Sequence, residues 1–283
     1  MTARRPKAPA CVGLENARLV LRLVPEAGAR VVSLVDRRSV REWIVPGPLP
    51  KGLGPRARFL DHASGWDECF PSVAACRHPA WGGALRDHGV LWARPWRLER
   101  RTPGRLVLAF EGAGVTFRRS VILRERGLLL RYDIENTSKT SRPWLWSQHC
   151  LLACAPGDRL ITRGLGPWRT AEGQPVSPSA VDPVRGPEAA VAGKLFAAVR
   201  GRAEAELRGP DGGGLRFSWH AASAPHAGLW YSYGGWPTDA PLYQLAIEPT
   251  TLAANALPGA GAARLAPGAT HRFEVELTLT QAG

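Results

Sequence analysis

Two histidines and one glutamate offer the chemistry in this sequence. His88 stands in Asp87-His88-Gly89, His149 ends Trp146-Ser147-Gln148-His149, and Glu248 lies in Leu245-Ala246-Ile247-Glu248-Pro249. Each sits at the end of a strand-like run. A carboxylate and an imidazole together suit general acid–base catalysis. Their reference pKa values, about 4.3 and 6.5, put both in the required state near pH 5–6. Operation at neutral pH requires an anionic neighbour that raises the imidazole.

Each residue also has a structural reading. Alternation along Leu242–Glu248 puts Leu242, Gln244, Ala246 and Glu248 on one face and Tyr243, Leu245 and Ile247 on the other, core face. The first face turns polar toward its end, with Gln244 two residues before Glu248, and Pro249 is expected to stop the strand there. The alternative is a solvent-facing glutamate near a sheet edge. His149 follows a dense apolar run, where a satisfied core imidazole is the plainer reading. His88 precedes a glycine that allows close backbone approach, and Val90, Trp92, Arg94 and Trp96 then alternate as in a strand. A turn histidine is the alternative there. No histidine pair has metal-ligand spacing, and no phosphate loop, dinucleotide fingerprint or nucleophile elbow occurs. Neither a metal nor a cofactor is expected.

The elements that must position these groups read as strands. Apolar alternation marks Leu19–Val24 and Arg30–Val35, split by the turn Pro25–Gly28. Arg105–Phe110 and Val115–Leu123 form a hairpin, and Leu128–Ile134 follows Gly127. Further strands are expected at Leu145–Ala153, Gly193–Val199, Ala203–Leu207, Leu215–Trp219, Gly228–Tyr233, Leu242–Glu248 and Arg272–Thr280. The 25 prolines and 31 glycines argue against long helices. Val191–Val199 and Thr250–Leu257 come nearest to a helical period. Gly164–Glu188 and Pro46–Arg58 read as long Pro/Gly-rich loops. Short strands separated by turns predict an all-β sandwich or barrel. No linker or internal repeat divides residues 1–283, so one domain is expected.

Composition narrows the function. The formal net charge is +13, yet the basic residues, only four of 37 being lysine, are scattered in ones and twos. Nucleic-acid binding leaves a clustered footprint, so no nucleic-acid partner is expected. Five cysteines without zinc-knuckle spacing suit free thiols in a reducing cytoplasm. No apolar run is long enough to span a membrane, and the basic start Met1–Ala10 lacks the apolar core of a signal peptide. Eleven tryptophans suit a cleft that stacks flat sugar faces, although any single one more simply fills core.

The order His-Gly, a mid-chain histidine after a strand, and a late glutamate, together with Gly65-Trp66-Asp67-Glu68-Cys69-Phe70-Pro71, resembles the aldose 1-epimerase (galactose mutarotase-like) family. The resemblance spans nearly the whole chain. It implies a large antiparallel β-sandwich, the galactose mutarotase-like supersandwich, with Glu248 as base, His149 as acid and His88 on the ring or C1 oxygen. The implied reaction interconverts the α and β anomers of an aldose. Asp67, Gln244, Trp92 and Trp236 are secondary candidates for hydroxyl contacts and ring stacking. The chain departs from better-known mutarotases. It reads His88-Gly89-Val90 for His-Gly-Gly, Gln148-His149 for Asn-His, and has no Asn-Arg pair ahead of His88. It thus resembles the divergent members. Two alternatives remain. One is a hexose-phosphate 1-epimerase with Arg94 or Arg86 on the phosphate, and the other a non-catalytic sugar-binding protein. A monosaccharide or sugar phosphate is the expected ligand, and a monomer or homodimer the expected state.

Overall fold

The computed structural model describes residues 10–50, 53, 57–258 and 261–281. The basic start and much of the Pro46–Arg58 loop therefore lie outside the described residues. Twenty strands occur among those described. They are β1 (Val12–Glu15), β2 (Leu19–Val24), β3 (Arg30–Asp36), β4 (Arg41–Glu42), β5 (Trp66–Cys69), β6 (Cys76–His78) and β7 (Gly83–Leu85). The middle of the chain supplies β8 (Arg97–Thr102), β9 (Arg105–Gly112), β10 (Val115–Arg124), β11 (Gly127–Asn136), β12 (Arg142–Pro143), β13 (Ser147–Leu152) and β14 (Arg159–Leu165). The last third holds β15 (Val191–Arg208), β16 (Gly214–His220), β17 (His226–Tyr233), β18 (Tyr243–Thr250), β19 (Arg264–Leu265) and β20 (Thr270–Thr280). The only helical pieces among the described residues are short 3₁₀ turns.

Sixteen strands join in one hydrogen-bonded sheet that makes two layers. The first layer runs β1-β2-β3-β5-β13-β18-β17-β15, and the second runs β15-β16-β20-β11-β10-β9-β8. The long β15 belongs to both. Val191–Ala198 pairs with β17, and Arg202–Arg208 pairs with β16. The sequence predicts two strands here. They are one strand, which changes partner at Gly201, whose φ is +74°. A glycine takes that conformation without strain. The two layers enclose a large apolar core that includes Leu21, Leu34, Phe117, Leu130, Leu229 and Ile247.

Two expectations need correction. Pro249 does not stop β18, which continues to Thr250. Pro249 sits opposite Ala227 of β17, and the ladder to β13 registers Ile247 with Cys150 and then Thr250 with Ser147. The missing proline N–H thus falls where β13 pairing is interrupted. Val90–Trp96 is not a strand, because His88 and Gly89 both take positive φ and the chain turns until β8. The two stretches nearest to a helical period are not helical, in line with the expectation against long helices: Val191–Val199 lies within β15, and Thr250–Leu257 is strand end and bends.

Candidate functional site

The central strands of the first layer carry two different faces. On one, Leu245 and Ile247 of β18 enter the core between the layers. On the other, Ser147 and His149 of β13, Gln244 and Glu248 of β18, Trp230 of β17 and Lys194 of β15 lie together. Gln244, His149, Trp230 and Lys194 line a cavity of about 650 Å³, with Phe59, His88, Asp87 and Trp236. A strand period of two explains why every second residue contributes.

Glu248 is central, not at an edge, and it is 1% exposed. It reaches the cavity through its contacts His149 and Lys194. Its Oε2 accepts from Ser147 Oγ at 2.9 Å and from Lys194 Nζ. Oε1 faces His149 Nε2 at 3.8 Å, beyond hydrogen-bond range, and has no partner among the described residues. His149 Nδ1 and His88 Nε2 are likewise buried and unpartnered. Buried polar atoms are usually satisfied, so three such atoms in one place need a reason.

His88 is held by its turn. Gly89 forms a parallel bridge with Phe70, and a Cβ there would lie 2.0 Å from the Phe70 carbonyl oxygen. Only glycine fits. The His88 ring stacks on Phe59 at 3.7 Å and meets the His149 ring edge-on at 4.7 Å. Its Nδ1 lies 3.1 Å from Asp87 Oδ1. Burial raises the Asp87 carboxyl, but the bond and charge of His88 and the Phe59 and His88 amides outweigh it and hold the carboxyl below its ordinary range.

His149 differs from expectation. Its imidazole is pushed well below the usual histidine value, first by burial and then by His88, Lys194 and Arg30. The anion beside it does not raise it, because Glu248 is already paired with a lysine. His149 is therefore neutral at pH 7.

Glu248, His149, His88 and Gln244 come together as the sequence suggested, and Trp236, 41% exposed, lines the cavity beside Trp230. Four candidates do not join them at the cavity. Asp67 is 1% exposed and its carboxylate is taken up by Arg30, with Nε contacts of 3.0 and 3.1 Å. Trp92 is 1% exposed and packs against Phe59, His62 and the Arg86 guanidinium, so its ring supports the wall from behind. Arg94 is exposed and does not line the cavity, nor does Arg86.

Lys194, Phe59, Trp230 and Ser147 escaped the sequence reading. Lys194 left a signal: it is one lysine inside an apolar strand-like run, in a chain whose cations are nearly all arginine. Phe59 and Ser147 left none, because only tertiary contact brings them to the site.

Among the described residues no cluster of three metal-ligating side chains occurs, and no helix is long and apolar enough to cross a membrane. The five cysteines are unpaired.

No family model and no curated protein sequence matches this chain. Solved structures do. A galactose mutarotase related enzyme from Lactobacillus acidophilus superposes with a TM-score of 0.72 at 16% identity, over 96% of this chain and 98% of that one. A galactose mutarotase-like protein from Lactobacillus casei gives 0.68 at 16%, over 96% and 100%. Another galactose mutarotase-like protein, from Clostridium acetobutylicum, gives 0.70 at 13%, over 96% of each chain. At such identities the likeness speaks for architecture. The fold of this chain is the galactose mutarotase-like β-sandwich.

Proposed function

We propose that this chain is an aldose 1-epimerase that interconverts the anomers of a free monosaccharide. One observation carries the reading. Among the described residues Glu248 Oε1, His149 Nδ1 and His88 Nε2 have no partner, the three side chains are neighbours, and the two histidines line a cavity walled by Phe59, Trp230 and Trp236. Buried atoms without partners also occur in the core, at Trp66 Nε1 and Arg119 Nε among others; what sets this group apart is that a carboxylate and two imidazoles stand together, and a pure binder has no need of an acid–base pair. The aromatic walls suit a sugar's C–H faces.

In this reading Glu248 takes the C1 hydroxyl proton through Oε1. Protonated His149 gives a proton to the ring oxygen as its bond to C1 breaks. Rotation about C1–C2 and closure with the roles reversed yields the other anomer. His88 donates or accepts at the ring or C1 oxygen, its Nδ1 fixed by Asp87. The 3.8 Å gap between Glu248 and His149 leaves each with capacity for a substrate atom, and such contacts often tighten only when substrate binds. The reaction needs no cofactor.

Polarimetry tests the proposal. Catalytic amounts should speed the decay of optical rotation of freshly dissolved α-glucose or α-galactose. No acceleration with any common aldose or its 6-phosphate would remove the reading.

A further inference from the structure

Lys194 crosses a neighbouring strand to reach Glu248. On β15 it registers opposite Trp230 of β17, and Glu248 of β18 registers opposite Gly228 of the same strand. The lysine thus runs diagonally over Gly228. A Cβ on Gly228 would lie 3.3 Å from Glu248 Oε2 and 3.4 Å from Lys194 Nζ. These distances are tighter than ordinary van der Waals contact, so the glycine leaves the pair its space. The ammonium and the Ser147 hydroxyl both engage Oε2, and neither engages Oε1. Lys194 also lines the cavity and stays only 13% exposed.

The two carboxylate oxygens are therefore unequal. A free carboxylate turns about its terminal bond, and either oxygen can meet a substrate. Here one oxygen is tied by two donors from two strands. The other faces His149, the acid of the proposed reaction. The other titratable groups around Glu248 are His149, 3.8 Å from Oε1, and the thiols Cys69 and Cys150, which burial first and the Glu248 charge among others raise above their ordinary range. Among the described residues Lys194 is the lysine or arginine in contact with Glu248.

We propose that Lys194 is the positioning residue of this site, tying Glu248 Oε2 so that Oε1 alone serves as the base. The inference rests on the epimerase reading and adds to it a residue that works through Glu248. Removing the ammonium should impair the proton transfer while leaving sugar contacts in place.

The test compares Lys194→Met and Lys194→Arg with wild type in mutarotation assays across pH. Lys194→Met should lower kcat by roughly 10²-fold or more, the scale of one acid–base contribution, with KM changed far less. Lys194→Arg, which restores a cationic donor, should recover most of kcat. If Lys194→Met does not fold, Lys194→Leu, which likewise removes the donor, carries the same expectations. An active wild type with an equally active Lys194→Met would overturn this inference alone. So would an arginine variant no better than the methionine one. A wild type inactive on every aldose would remove the epimerase reading and this role with it.

Discussion

Glu68 and Glu248 are two buried glutamates on adjoining parts of the same layer, yet they do opposite things. Glu68 of β5 points between the layers, and Glu248 of β18 points to the cavity face. Both are 1% exposed and both touch a cation. Glu68 is saturated. Its Oε1 accepts from Arg119 Nη1 at 2.8 Å and Tyr132 O–H at 3.0 Å, and its Oε2 accepts from Trp146 Nε1 at 2.8 Å. Gln148 adds a bond to the Tyr132 hydroxyl at 2.9 Å. Glu248 leaves Oε1 open. A buried charge is tolerable when its lone pairs are met. The saturated glutamate links β5 to β10, to β11 and, through Trp146, to the segment that leads into β13. The unsaturated one keeps a lone pair toward a cavity. Burial and charge alone do not separate support from function here; the count of satisfied atoms does.

The comparison breaks most cleanly at the two glutamates themselves. Glu248→Gln should cut turnover by roughly 10²–10⁴-fold, the range for one acid–base group, with a smaller loss of stability than Glu68→Gln, because the Lys194 it leaves unpaired lines the cavity. Glu68→Gln should do the reverse. It leaves Arg119 buried without its counter-ion and should cost about 3–5 kcal/mol in urea denaturation, while the rate per folded molecule stays near wild type. A Glu248→Gln protein with an unchanged rate would show that the contrast is misassigned.

A smaller effect concerns pH. His149 titrates well below its usual value in the folded protein, chiefly through burial. As pH falls below about 6.5, the unfolded chain takes up this proton before the folded chain does. The stability contributed by the neutral imidazole is present above that pH and is lost on acidification through it. Between pH 7 and 5 this loss should amount to about 1–2 kcal/mol, and His149→Asn should remove it. Equal acid sensitivity of both proteins in denaturant titrations would contradict the burial argument. The same depression makes the acting imidazolium a minor species at pH 7, so kcat should climb as pH drops from about 8 to 6.

The smallest effects sharpen the contrast between two tryptophans. Trp236→Ala should weaken sugar binding by about 0.5–1.5 kcal/mol, the value of an aromatic contact, with little loss of stability. Trp92→Phe should leave sugar affinity alone and lower stability instead, since that ring is sealed behind Phe59. Intrinsic fluorescence titration with the sugar that proves active measures the first, and urea denaturation the second. A Trp92 variant with weakened binding and intact stability would put that ring back at the cavity.

The sequence by itself determined the architecture. Alternation along Leu19–Val24, Val115–Leu123 and Tyr243–Ile247 is a local property, because successive strand residues must face opposite sides whatever the strand pairs with. The same period put Gln244 and Glu248 on one face, and the order of His88, His149 and Glu248 matched what the resemblance implied. Tertiary structure decided everything that depends on partners. Whether Asp67 is free or held by Arg30, whether Trp92 faces a ligand or Phe59, and whether an anion raises His149 are facts about neighbours distant in the chain. Lys194 is the sharpest case. It lies 54 residues from Glu248, and only the antiparallel pairing of β15, β17 and β18 over Gly228 brings the two charges together. Strand period is written in consecutive residues, whereas ion pairing, burial and proton affinity are set by the strand pairing that closes the sheet.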